Sequence, residues 1–134
     1  MLATITRRYS MECAHYLPKV HKNHKCSRMH GHNFKVDVTI KGPINENSGW
    51  VMDFQKLDDI FAGQVHYFCD HRLLNEIDGL DNPTSENIAR WIWVRLWETA
   101  GQLAPAEWPV EAKITAVTVW EIDGFSTTYR GESA

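Results

Sequence analysis

No apolar stretch in this 134-residue chain is long enough to cross a bilayer. Its first residues, Met1 to Ser10, alternate polar with apolar side chains and carry Arg7 and Arg8, unlike a secretory leader. The chain is therefore expected in the cytoplasm, without a membrane partner. Cysteine is scarce. An odd count of 3, with no export signal, points to free thiols rather than a disulfide framework. Positive charge is not in excess either, with 14 Lys and Arg against 17 Asp and Glu. The resulting net charge of −3 gives no support to nucleic-acid binding. Repeats and low-complexity tracts are missing. What is present, 43% hydrophobic and 23% charged residues, suits a soluble globular protein. The whole chain, 1–134, is expected to fold as a single domain around a real core.

Periodicity supplies the elements. Residues 2 to 15 read as a strand whose odd positions, Ile5, Tyr9, Met11 and Cys13, form an apolar face ending in His15. Leu17-Pro18 closes it, and residues 16 to 29 form a polar, basic loop. A second strand covers 30 to 41, with Phe34, Val36, Val38 and Ile40 alternating with Asn33, Lys35, Asp37, Thr39 and Lys41. Turn residues follow from Gly42 to Gly49. Asp53 can cap a helix carrying Phe54, Leu57, Ile60, Phe61, Val65 and Phe68, which ends near Cys69-Asp70-His71.

After a loop from Gly79 to Pro83, Thr84 or Ser85 can cap a second helix from about Glu86 to Glu98. Its buried stripe is Ile88, Ala89, Ile92, Trp93 and Leu96; Trp91, Trp93 and Trp97 suit core or subunit contacts better than a cofactor box. Ala100 to Val110 reads as a loop, Ile114 to Glu121 as a strand, Asp123-Gly124 as a hairpin turn and Phe125 to Arg130 as the last strand. The order β-β-α-α-β-β predicts an α+β fold, an antiparallel four-stranded sheet with two helices on one face.

Chemistry concentrates between Cys26 and His32. His30 and His32 lie on the apolar face of their strand. An antiparallel pairing with the first strand brings His15 to the same end of the same face. Three neutral imidazoles with a fourth position open are what a catalytic zinc needs, although other divalent metals also accept imidazole. Two histidines spaced this way are commonplace, and the third histidine and Cys26 are what give the pattern weight. Cys26 sits in a polar loop beside Lys25 and Arg28, where a thiolate would be favoured. Lys19, Lys22, Lys25 and Arg28, with His21 and His24 between them, make a solvated basic loop. Beside a metal it could hold a phosphate. Cys69 and Cys13 fit small core residues, though Cys13 shares the face of His15 and stays open as an extra ligand. Asp70-His71 offers an imidazole with a carboxylate beside it. Glu121 is either a capped turn residue or a carboxylate placed to recognise a guanidine-like ring edge.

These residues recur in a known family. Ala14-His15-Tyr16-Leu17-Pro18, Cys26 through His32, Gly49 through Phe54, Asp70-His71-Arg72-Leu73-Leu74-Asn75, Pro83-Thr84-Ser85-Glu86-Asn87 and Tyr129-Arg130-Gly131-Glu132 span nearly the whole chain. Together they resemble the 6-pyruvoyl-tetrahydropterin synthase and 6-carboxytetrahydropterin synthase family, most of all the bacterial 6-carboxytetrahydropterin synthases of queuosine biosynthesis. The resemblance implies the tunnelling fold, and one zinc per chain on His15, His30 and His32. It further implies Cys26 as catalytic thiol, Asp70 and His71 as a proton-relay pair, and Glu121 as the acid anchoring the pterin ring, helped by Thr84 and Ser85. The implied reaction turns 7,8-dihydroneopterin triphosphate into 6-carboxytetrahydropterin, releasing triphosphate and acetaldehyde. The pyruvoyl-forming synthase uses the same parts. Three residues between Cys26 and His30 favour the carboxy branch over the animal pyruvoyl enzymes, whose spacer is longer. A non-catalytic pterin- or metal-binding module would need neither Cys26 nor His71. The family further implies a homohexamer, a dimer of trimers, with Cys26 of one chain near Asp70 and His71 of another. Cys13 and a long Ala100 to Val110 loop depart from the family pattern.

Overall fold

The computed structural model describes residues 1–132. Strands β1 (Leu2–His15), β2 (His30–Pro43), β3 (Lys113–Ile122) and β4 (Phe125–Tyr129) form one sheet in that order, every neighbouring pair antiparallel. The helices α1 (Phe54–Phe61), α2 (Tyr67–Cys69) and α3 (Ser85–Gln102) are inserted between β2 and β3. A π turn, Ala62–His66, joins α1 directly to α2, so the two form one continuous helical run. This is the α+β arrangement expected of the alternation.

One sheet face is the core. Met11, Phe34, Val36, Val38, Ile40, Val117 and Val119 lose all exposure there against Leu57 of α1 and Ile88, Ala89, Ile92 and Leu96 of α3. Each of these side chains larger than alanine contributes roughly 1.5–3 kcal/mol by leaving water. Phe61 packs flat on Tyr9, with ring centroids 3.9 Å apart. The helices start where side chains satisfy their first amides: Asp53 accepts from the Gln55 N–H (2.9 Å) and Thr84 from the Asn87 N–H (3.1 Å). The other sheet face is polar. Arg8 forks onto Asp37 at 2.7 and 2.9 Å, and Asp37 also accepts from the Trp120 indole N–H at 3.0 Å.

Two features differ from the sequence reading. The second helix passes Glu98 and ends at Gln102, so the following loop begins later than Ala100. Thr99 Oγ1 donates to the Arg95 carbonyl (2.7 Å) through this last turn. Gly101 weakens a helix by only about 1 kcal/mol, and Pro105 just beyond the cap is the firmer stop. The π turn was the other surprise, since periodicity of three and four does not announce one wider turn. Among the described residues no helix is long and apolar enough to cross a membrane.

The outer edge of β1 is occupied at one end by the chain that follows α2. The His71 N–H donates to the Glu12 carbonyl (2.6 Å) and the Ala14 N–H to the Arg72 carbonyl (3.0 Å). Asn75 grips Tyr16 twice, accepting from its N–H (3.0 Å) and donating to its carbonyl (2.9 Å). His66 Nε2 reaches the Ser10 carbonyl at 3.1 Å. This backbone docking fixes where residues 70–75 lie against the end of the sheet.

Candidate active site

The β1–β2 register sets His15 opposite His30 and Cys13 opposite His32. The three imidazoles consequently meet, with ring centroids 4.5, 5.1 and 4.9 Å apart. Glu121 joins them from β3. Between Trp120 and Ile122 the pairing with β4 slips by one residue, leaving Glu121 as the extra residue of a bulge. The donor atoms of His15, His30, His32 and Glu121 all lie within 4.8 Å of one another.

Protons are already assigned on two of the rings. His15 Nδ1 lies 2.8 Å from the Pro83 carbonyl, and His30 Nδ1 lies 2.7 Å from the Arg28 carbonyl. A carbonyl only accepts, so both Nδ1 atoms carry the proton and both Nε2 atoms present a lone pair when the rings are neutral. Carbonyl partners of this kind orient metal-binding histidines. His15 is 1% exposed and its Nε2 has no hydrogen-bond partner. The Glu121 carboxylate stands 3.4 Å from that atom and 3.2 Å from His32 Nε2. Burial pushes His15 below the ordinary imidazole value, with the Pro83 carbonyl pulling the other way. Burial lowers His32 likewise, against the pull of Glu121. The His15 Nε2 lone pair facing the Glu121 carboxylate is repelled unless a cation lies between them, and a divalent metal fits that set of donors.

Cys26 opens onto the same hollow. About 520 Å³ of space is lined by Lys25, Cys26, His30, His32, Glu121 and Phe125. Cys26 is half-buried, whereas Cys13 and Cys69 are buried. Burial pushes the Cys69 thiol up to about 12, and raises the Cys13 thiol as well. Cys13 is not among the clustered donors. The extra-ligand role left open for Cys13 has no support in this grouping of donors.

Asp70 and His71 form a second station. His71 Nδ1 lies 2.8 Å from Asp70 Oδ2, and the other Asp70 oxygen accepts from the Glu12 N–H at 2.9 Å. His71 adopts a left-handed backbone, φ +58°, unusual for a residue with a Cβ. Its ring faces a hollow lined by Glu12, Ala14, Asn33 and Arg72, not the one in front of Cys26; Gly31 and His32 border both. The hydrogen bond to Asp70 and the charge of that carboxylate raise the His71 pKa. Burial would raise Asp70, but the Glu12 amide and His71 outweigh it and hold Asp70 below the usual carboxylate range. The sign follows. The pair adds stability between the two pKa values, losing it in acid as Asp70 protonates and in base as His71 deprotonates. Asp70→Asn is therefore expected to lower the His71 ring titration midpoint, followed by NMR, toward the ordinary value near ~6.5. An unchanged midpoint would separate the two groups.

Thr84 and Ser85 open α3 directly after Pro83, and Thr84 Oγ1 serves as its cap. The sequence reading missed Pro83, Glu12, Asn75 and the bulge at Glu121. Backbone acceptors have no side-chain signature. The parity of Glu121 with Val117 and Val119 was the one available signal that it faces the histidines.

Comparison with known proteins fits this geometry. The 6-pyruvoyl tetrahydropterin synthase family model matches residues 4–132. A dihydroneopterin monophosphate aldolase of Pyrococcus furiosus is 37% identical over 125 residues, covering 93% of this chain and 95% of its own. A 6-carboxy-5,6,7,8-tetrahydropterin synthase of Synechocystis is 40% identical over 98 residues, covering 70% and 74%. The structure of the Caenorhabditis elegans 6-pyruvoyl tetrahydropterin synthase superposes with a TM-score of 0.83 at 28% identity, covering 98% and 97%. Like that structure, the four-stranded antiparallel sheet with its helices has the tunnelling fold, and the chain belongs to the 6-pyruvoyl tetrahydropterin synthase family of enzymes.

Proposed function

We propose that this chain is a zinc-dependent 6-carboxytetrahydropterin synthase acting in queuosine biosynthesis. It would convert 7,8-dihydroneopterin triphosphate and water to 6-carboxy-5,6,7,8-tetrahydropterin, triphosphate and acetaldehyde. The observation that carries the reading is one hollow lined by His30, His32, Glu121 and the half-buried Cys26, with the buried His15 clustered against the same donors. The Synechocystis relative's name supports the carboxy branch.

His15, His30 and His32 hold one zinc per chain. Bound zinc supplies Lewis-acid polarisation of the substrate's side-chain hydroxyls. Cys26 accepts a proton from that side chain, and His71, kept protonated to higher pH by Asp70, returns one. Glu121 receives the N–H edge of the pterin ring, and Thr84 and Ser85 help to orient it. Its approach to His15 and His32 also suits it to a fourth donor position before substrate enters. Lys25 and the other cations of the 16–29 loop hold the triphosphate.

Incubation of the pure protein with dihydroneopterin triphosphate tests the reading. Acetaldehyde is expected in step with triphosphate release; a pyruvoyl product without acetaldehyde would assign the other branch. The Pyrococcus relative favours a second reading, aldol cleavage of a dihydroneopterin monophosphate. Turnover of the monophosphate with the triphosphate left intact would select it.

The separate hollows of Cys26 and His71 suit a site completed between chains of a homohexamer built from trimers. Mixing inactive Cys26→Ala with inactive His71→Ala chains is then expected to restore part of the activity, once both are shown to be folded and zinc-loaded and to exchange subunits. Mixed oligomers that stay inactive would place the pair within one chain.

A further inference from the structure

The loop that carries Cys26 has little else to hold it. Residues 16–29 contain a single three-residue helical turn, Lys25–Ser27, with no buried residue in it. Cys26 is fixed through its backbone. Its carbonyl accepts from the Leu17 N–H (2.8 Å), which ties it to the end of β1 through the neighbouring Tyr16–Asn75 grip. Its N–H donates to His24 Nδ1 at 3.0 Å. His24 is thus the cap of the turn, a place where Asn, Asp or Ser is usual. The rest of the His24 backbone is locked too: its N–H donates to the His21 carbonyl (2.8 Å) and its carbonyl accepts from the Ser27 N–H (3.0 Å). Ser27 Oγ closes the turn onto the Lys22 carbonyl at 2.8 Å.

We propose that His24 is a positioning residue: by accepting the Cys26 amide, its ring aims the Cys26 thiol into the hollow before His30 and His32. The inference rests on the reading of Cys26 as the reacting thiol. Only a neutral ring with its proton on Nε2 can accept at Nδ1, so His24 Nδ1 serves as the acceptor here. Losing one exposed hydrogen bond hardly touches stability. A thiol displaced by about 1 Å can cost on the order of a hundredfold in rate.

The test compares the parent with His24→Leu, which fills similar space without an acceptor, and His24→Asn, which keeps an oxygen for the Cys26 N–H. In the Leu variant kcat is expected to fall about ten- to a hundredfold while KM and zinc content hold, and in the Asn variant to return within about threefold of the parent. A second readout needs no substrate. Cys13 and Cys69 are buried, so iodoacetamide reports on Cys26. Its alkylation rate is expected to depart from the parent's by about threefold or more in the Leu variant and to return in the Asn variant. Parent-like kcat and alkylation in the Leu variant would overturn the proposal. An Asn variant as slow as Leu, or a change confined to KM, would overturn it as well, since the ring would then be meeting substrate. If the parent itself fails to process the pterin, the proposed function falls, and the alkylation comparison still decides whether His24 aims the thiol.

Discussion

Cys26→Ala protein is expected to keep its fold and its metal while losing about 10²–10⁴-fold in turnover of dihydroneopterin triphosphate. The separation of effects is what makes the experiment informative. Cys26 lies outside the buried core, so removing its sulfur leaves no cavity. It is also absent from the clustered donors, so zinc should stay on the three histidines. Metal content, a far-ultraviolet spectrum and steady-state rates on one preparation suffice. Undiminished turnover would remove Cys26 from the chemistry and return a pterin-binding module to consideration. Loss of zinc along with the activity would instead make the thiol a ligand.

Replacing both His30 and His32 by alanine is expected to take metal content from about one zinc per chain to background and to abolish turnover. The two rings supply two of three imidazole donors, and a single remaining histidine beside Glu121 cannot retain a catalytic zinc against a competing chelator. The fold should persist. His30 and His32 stand at the open end of β2, beyond Phe34, and neither belongs to the hydrophobic core, so unfolding of the metal-free parent and the double variant should nearly coincide. Elemental analysis decides the matter. Full zinc occupancy in the double variant would refute the assignment.

Much of this was legible in the residues because a strand shows its two faces at a period of two. The alternation ending in His15, and the one beginning at His30, predicted that antiparallel pairing brings these histidines to one end of one face, and the sheet sets His15 opposite His30. β1 was read to its last residue, and β2 fell short only of Gly42 and Pro43. Helix ends were read less well. Gly101 lies in the stretch read as a loop, yet one glycine costs too little to end a helix already closed by Thr99 on Arg95. The finer site was illegible for a different reason. The Pro83 carbonyl that fixes the tautomer of His15 is a backbone atom, available at every residue alike. The bulge that leaves Glu121 unpaired depends on how β3 meets β4, which neither strand states alone. His24 was seen as a member of a charged loop; its use as a cap appears only once the turn is closed.

The occupied edge of β1 also bears on how copies of this chain can join. An exposed strand border is a template that any free strand can extend. From Ser10 to Tyr16 that template is already spent on His66, Asp70 to Arg72 and Asn75, and the Arg8 carbonyl accepts from the Arg7 guanidinium (3.1 Å). The far third of the strand, Leu2 to about Thr6, is the stretch farthest from these contacts. At the other border β4 is five residues long. If copies join through these two borders, as the proposed oligomer would have them, a neighbour's β4 would dock away from the histidine end, an offset of the kind that closing a barrel requires. The segment that carries His71 would thus act as a spacer, setting the shear of the ring.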